Sequence, residues 1–479
     1  MKGKIALLLI LSFAIVSLSF PLRSNEKNSE NSIAVYPLGC IPVKLNENVS
    51  VGSKPILSTS PLPSSWDWRN YLGQDWTTPV KNQGNCGSCW DFAAMGALEA
   101  IIKIREGCAS FNPDLSEQYL LSCPPDSGGC GGWNAYNAYK YIFMHGGALL
   151  EDCFPYKAND DIPCSEKCSD WKEKLIPIIG YGYVPNPGRD YMKRVLVESG
   201  PFVVDMAVYN DFFSYNGGVY EHPGDEPPSH INHQVVLVGY DDAQQCWICK
   251  NSWGKYWGEN GFFRIKYGDC QIEYAMIYVN YDASAYNWPP VANAGGPYFG
   301  HAGDEITFNG NESVDPDGDE LSYIWQFGDG SVGYGSIVKH AYLKEGIYTV
   351  NLTIVDVKNQ SDSDHAIVYI DDTSPDIQII KPKEGCIYFF DNEYAWILGR
   401  IFHKPIAIGG LTIFAQAKDN IAIDRVEFYI DDKLAFVDKS TPYLYYWENA
   451  TNGEHIIKVI AYDKLGNKNE ESINVLRFG

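Results

Sequence analysis

The spacing of apolar positions changes along this chain, and the changes mark its parts. Lys2 and Lys4 precede an unbroken apolar run from Ile5 to about Phe20. Between Trp90 and Arg105, residues Ala93, Ala94, Ala97, Leu98, Ile101 and Ile102 recur at helical spacing and predict an amphipathic helix. Val235-Val236-Leu237-Val238 reads as a buried strand. From Val291 onward, short alternating segments punctuated by Gly and Asp take over. Val426–Asp432 and His455–Asp463 alternate with period two, as half-buried strands do. Residues 21–62 are polar, with scattered Asn, Ser and Pro, and predict a pro-segment and linker. Asn287-Trp288-Pro289-Pro290 predicts a second linker.

Composition narrows the classes. A chain of 479 residues exceeds one ordinary core, so two to four domains are expected. A formal net charge of −23 argues against nucleic-acid binding, which needs basic patches. Residues 1–20 read as a secretory signal peptide, and no later stretch is long and apolar enough to span a membrane, so the mature chain is expected outside the cell without a span. Export also makes a disulfide set the expected use of the 13 cysteines.

The candidate chemistry centres on Gln83-Gly84-Asn85-Cys86-Gly87-Ser88-Cys89-Trp90. Cys89 opens the predicted helix, and the positive end of a helix macrodipole favours thiolate. Asn232-His233-Gln234 begins the apolar strand, and Lys250-Asn251-Ser252-Trp253-Gly254 follows it. His230 competes with His233 as a base but lies in the preceding Pro-rich loop. These three motifs, in this order, resemble those of papain-like cysteine peptidases, and Leu62-Pro63-Ser64-Ser65-Trp66-Asp67-Trp68-Arg69 resembles their mature N-terminus. Trp325-Gln326-Phe327-Gly328-Asp329-Gly330 with His340-Ala341-Tyr342 resembles a PKD repeat, and the segment opening at Thr373-Ser374-Pro375 resembles an immunoglobulin-like module. The resemblance implies a multidomain chain: signal peptide 1–20, short pro-segment 21–62, a two-lobed α+β papain-like domain over 63–286, a PKD-like β-sandwich over 289–372 and an Ig-like β-sandwich over 373–479.

The resemblance also implies roles. Cys89 is the expected nucleophile, forming a thioester, and His233 its proton partner. Asn251 orients the His233 ring and Trp253 shields that bond. Gln83 and the Cys89 N–H form the oxyanion hole. Gly131 and Gly132 are expected to pair with an extended substrate, with one residue fewer than usual between Cys130 and the glycines. Ala275 is expected at the floor of a roomy, uncharged pocket suited to Leu, Val, Phe or Tyr. Cys86 is expected to bond Cys130; apart from the resemblance, Cys123 is paired with Cys168 and Cys153 with Cys164. Cys40, in the pro-segment, either masks Cys89 in a mixed disulfide or pairs elsewhere or stays free.

Cys86-x-x-Cys89 and Cys246-x-x-Cys249 sit in different contexts, so no metal or cofactor is expected at the site. The acidic turn Asp315-Pro316-Asp317-Gly318-Asp319-Glu320 is where calcium would fit in the PKD-like module. The reading is a secreted endopeptidase acting on peptide and protein substrates, with β modules that bind a cell surface or polymer, or act as spacers. Two alternatives use the same domain: a peptide ligase, in which an amine resolves the thioester, and an adhesion protein with an inactive peptidase domain.

Overall fold

A computed structural model describes residues 36–43, 48–52, 55, 57–224, 230–394, 404–448 and 451–479. The signal-peptide reading lies outside the described residues. Among the described residues, no helix is long and apolar enough to cross a membrane.

The first domain is organised around helix α1, Cys89–Glu106. Its predicted period is there, but the helix is enclosed and not amphipathic: nearly every side chain as far as Lys103 is buried, including Asp91, Glu99 and Lys103. Of its inward ionisable groups Glu99 and Lys103 find partners, whereas both Asp91 carboxyl oxygens are buried without one and burial pushes that carboxyl well above the usual range, toward its neutral form. Glu99 accepts from Thr78 Oγ1 (2.5 Å), Lys81 Nζ (2.9 Å) and the Leu115 amide (3.0 Å), and Lys103 Nζ donates to Thr77 O and Asn112 Oδ1. Gly107, at φ 70°, ends the helix in the left-handed conformation that costs glycine least. Two further helices, α2 (Glu117–Ser122) and α3 (Ala135–His145), complete this lobe. Their caps are Ser116, which accepts from the Tyr119 amide, and Asn134, which accepts from the Asn137 amide.

The other lobe is a sheet. In chain order its strands are β1 (Val49–Gly52) and β2 (Ser65–Asp67); after the separate two-stranded pair β3 (Ala148–Leu149) and β4 (Leu175–Ile176) come β5 (Gly180–Pro185), β6 (Phe202–Met206), β7 (Val219–Tyr220), β8 (His233–Asp241), β9 (Cys246–Lys250), β10 (Phe262–Lys266) and β11 (Ala275–Asn280). The sheet runs β1-β5-β11-β6-β8-β9-β10-β7, with β2 on β8, and helix α4 (Arg189–Ser199) packs on it. The pro-segment is therefore more than a linker: β1 adds to the sheet edge, pairing Val49 with Tyr183.

Six of the cysteines are bonded, as Cys86–Cys130, Cys123–Cys164 and Cys153–Cys168. The first pair is as expected. The other two exchange partners relative to the expected Cys123–Cys168 and Cys153–Cys164. The Cys168 amide donates to Cys153 O at 3.0 Å, which brings those two Cα atoms to 4.9 Å, within bonding reach. Cys40, Cys89, Cys108, Cys246, Cys249, Cys270 and Cys386 are free thiols, so the disulfide set is smaller than export alone suggests.

The PKD-like module has a five-stranded sheet (298–300, 361–370, 346–355, 322–326, 332–334) over the pair 305–309 and 337–341. Its core holds Phe308, Trp325, Phe327 and Tyr342. The last module packs a three-stranded sheet (376–381, 411–418, 443–447) against a larger one, with Tyr388, Phe428 and Trp447 inside.

The linker between the first two domains is anchored. Trp288 is 2 % exposed, its Nε1 donates to Tyr281 Oη (3.1 Å) and Glu106 Oε1 (3.2 Å), and its ring meets Phe111 edge-on. Trp288→Ala in the full chain should lower stability by about 3–5 kcal/mol, measured as an earlier urea transition of the peptidase domain. An unchanged midpoint would show that the linker is not part of that domain's core.

Candidate active site

Cys89 is the first residue of α1 and faces β8 across the junction of the lobes. The backbone N–H of Gln234, the residue after His233, is directed at the Cys89 thiol. His233 opens β8, is fully buried, and shares a 2.8 Å hydrogen bond between Nε2 and Asn251 Oδ1. Asn251 Oδ1 also accepts from the Ser252 amide at 2.8 Å, which fixes its orientation. His233 Nδ1 is buried and has no hydrogen-bond partner. That leaves it available for a proton from the thiol. The Trp253 ring lies 4.9 Å from the imidazole and keeps solvent from the His233–Asn251 bond. His230 is exposed in the loop before β8. His233 therefore lies in the strand beside Asn251 and Trp253, and His230 lies apart from them in the loop.

Gln83 is also in place. Its Oε1 accepts from Ser252 Oγ (2.7 Å), and its Nε2 donates to Cys86 O (2.8 Å) and to Pro37 O (2.9 Å). The second acceptor belongs to the pro-segment. Residues 36–43 thread the cleft. Tyr36 stacks on Trp253 at 4.6 Å, Pro37 offers its carbonyl to Gln83, and the Gly39 N–H is directed at the Cys89 thiol. Only glycine fits at 39, since a Cβ there would lie 1.6 Å from Gly87 O.

The wall that pairs with this extended segment is one residue beyond the expected glycines. The Trp133 amide donates to Gly39 O (2.9 Å), and the Ile41 amide donates to Trp133 O (2.8 Å), a parallel bridge centred on Cys40 and Trp133. Gly131 belongs to a tight turn, and Gly132 borders the segment closely enough that a Cβ would meet Gly39 O at 2.4 Å. The residue missing after Cys130 shifts the pairing by one position, onto Trp133.

The expected uncharged pocket also needs correction. The Cys40 side chain points into it and lies 3.8 Å from Asp205 Oδ1. Asp205 is fully buried in β6 and pairs with Gln234, whose Nε2 donates to Oδ1 at 2.6 Å; Oδ2 is buried without a partner. Ala275 is buried as expected, and continuing the β11–β6 register by one step from Met276–Val204 sets it opposite Asp205. The floor is small and apolar, but the wall carries a carboxyl. Its signal was an acid within the apolar run Phe202-Val203-Val204-Asp205-Met206. Cys40 itself is free and adjacent to Cys89, so the segment covers the nucleophile without a covalent bond to it.

Burial sets the charges in this covered cleft. It pushes the Cys89 thiol up to about 11, against hydrogen bonds from Gln234 and Gly39, and pushes His233 down to about 4, against the Asn251 bond. The pair is therefore neutral here, in contrast to the thiolate expected at the start of the helix, which requires water or substrate in place of the segment. Asp205 rises to about 6 by burial, opposed by Gln234 and Cys40.

A family model described as papain family cysteine protease matches residues 62–280, a PKD domain model matches 287–370 and a bacterial Ig domain model matches 407–459. Cathepsin S of Bos taurus is 34 % identical over 247 residues, 50 % of this chain and 70 % of that protein. The chain belongs to the papain family of cysteine proteases. Cathepsin K of Gallus gallus is 37 % identical over 207 residues, covering 43 % of this chain. The chain spans 59 % of that relative's length. The solved procathepsin L2 from Tenebrio molitor larval midgut shares 33 % identity over 46 % of this chain and 69 % of its own, with a TM-score of 0.42.

Gln83→Ala should reduce kcat by roughly 10²–10³ once the cleft is open, because the oxyanion loses a fixed donor. Retention of wild-type kcat on a peptide substrate would remove Gln83 from the oxyanion hole.

Proposed function

We propose that this chain is a secreted cysteine endopeptidase whose cleft is closed by its own residues 36–43. The observation that carries the reading is the convergence of Cys89, His233, Asn251 and Gln83, with His233 held through Nε2 and its Nδ1 unpartnered. With the segment gone, Cys89 attacks the scissile carbonyl carbon, forming the C–S bond. Gln83 Nε2, now free of Pro37, and the Cys89 N–H receive the oxyanion. His233 takes the thiol proton and passes it to the leaving amine; water then hydrolyses the thioester, with His233 as base. Asn251 fixes the ring through Nε2, so the proton travels by Nδ1.

The pocket entered by Cys40 selects the substrate residue paired with Trp133. Asp205, held by Gln234 with one oxygen unpartnered, suits a Lys or Arg side chain in an otherwise apolar pocket. Burial raises its pKa to about 6 while residues 36–43 cover the cleft, and uncovering it restores hydration, so the open enzyme's carboxyl ionises at or below that pH. Preference for a basic over an aliphatic residue should therefore fall as the pH drops below about 6, read as the ratio of kcat/KM on paired peptides. Asp205→Leu should lower that ratio at pH 7.5 by roughly 30-fold, about 2 kcal/mol. A ratio independent of pH and of Asp205 would refute the assignment.

The C-terminal modules act as binding or spacing units that keep the catalytic domain near a surface or polymer. The direct test of the activity is peptide hydrolysis by the processed protein and its Cys89→Ala variant, with an amine acceptor present. Hydrolysis by the first and none by the second is expected. Substantial turnover by the variant would overturn the mechanism, and predominant aminolysis would make the protein a ligase.

A further inference from the structure

Three aspartates meet where the PKD-like module passes into the last one. Asp371 follows the strand 361–370, Asp419 follows the strand 411–418, and Asp463 ends the strand 453–463. One carboxylate oxygen from each lies within 4.8 Å of those of the other two. Asp371 is 0 % and Asp463 2 % exposed, and Asp419 is half-buried.

Each carboxylate is aimed by one of its oxygens. Asp371 Oδ1 accepts from the Thr373 amide and Asn420 Nδ2, both at 3.0 Å. Asp419 Oδ2 accepts from the amides of Ile421 and Ala422. Asp463 Oδ1 accepts from the amides of Leu465, Gly466 and Asn467 at 2.6–2.8 Å. The opposite oxygens, Asp371 Oδ2, Asp419 Oδ1 and Asp463 Oδ2, are buried and accept no hydrogen bond. Among the described residues, no Lys or Arg forms an ion pair with any of the three. Buried carboxylates so close together repel one another, and among the described residues no cationic side chain neutralises them.

We propose that Asp371, Asp419 and Asp463 bind one Ca²⁺ that clamps the two C-terminal modules together. The three bare donors are all carboxylate oxygens, the preference of a hard cation, with no nitrogen or sulfur to favour zinc or copper. Oxygens up to 4.8 Å apart can share an ion at about 2.4 Å, the Ca²⁺ distance, whereas Mg²⁺ requires about 2.0–2.1 Å. Asp371 comes from the first module and the other two from the second. Asn420 Nδ2 and Asn467 Nδ2, which donate to Asp371 Oδ1 and O, already cross the same junction. The ion would fix the angle at which the last module is carried. The turn Asp315-Asp317-Asp319 forms a second acidic group, but Lys358 Nζ lies 3.3 Å from Asp319 Oδ2 and supplies a counter-charge there.

The test uses the full chain carrying Cys89→Ala, stripped with EDTA and titrated calorimetrically with CaCl₂ or MgCl₂. Asp419→Asn and Asp463→Asn should each weaken one Ca²⁺-binding event by at least about 10-fold, whereas Asp317→Asn should leave it unchanged. Limited proteolysis within residues 371–376 should slow on adding Ca²⁺ in the parent and not in the junction variants. In EDTA, the junction variants should melt no earlier than the parent, because each removes a repelling charge; this separates loss of the ion from loss of the fold. Ca²⁺ binding and protection that survive both junction substitutions would overturn the site. Tighter binding of Mg²⁺ than of Ca²⁺ would overturn the choice of ion.

Discussion

The catalytic domain depends on one placement: Cys89 at the first turn of a helix enclosed on all sides, facing the strand that carries His233. Because α1 is packed by α2, α3 and the sheet together, its N-terminus cannot shift relative to β8 without disturbing the core of both lobes. Glu99 and Lys103 tolerate that enclosure through the groups they hydrogen-bond, and Asp91, which has no such partner, is pushed toward its neutral form by burial. The Cys86–Cys130 bond ties the nucleophile loop to the wall bearing Gly132 and Trp133. Chemistry and stability therefore share the same contacts.

Covering the cleft changes the same pair electrostatically. Pro37 takes the Gln83 donor, Gly39 fills the space over Cys89, and burial favours the uncharged forms of Cys89 and His233. A segment too short to fold by itself is sufficient, because the lobes provide the order: β1 holds one end on the sheet and Trp133 pairs with the middle.

The residues proposed for the chemistry could be picked out because their local context is written in consecutive letters: a turn before a helix at Cys89, an apolar strand after His233, a short motif around Asn251. Helix α1 was legible by its period, but its enclosure was not, since period reports one apolar face and not what packs on the others. Trp133 was missed because backbone pairing leaves no trace in side-chain type; only the missing residue after Cys130 hinted at the shift. The Cys123–Cys164 and Cys153–Cys168 bonds depend on how the loop 150–175 folds back, which spacing does not encode. Asp371, Asp419 and Asp463 lie at the ends of three strands far apart in sequence, so only the fold brings them together.

The most direct measurement is the rate at which iodoacetamide alkylates Cys89 at pH 7, followed by peptide mapping, in the intact chain and after removal of residues through 62. If residues 36–43 hold Cys89 as a buried neutral thiol, removal should accelerate its alkylation by about 100-fold or more, as uncovering lowers its pKa and frees the thiolate. Equal rates in the two forms would contradict a covered, neutral nucleophile.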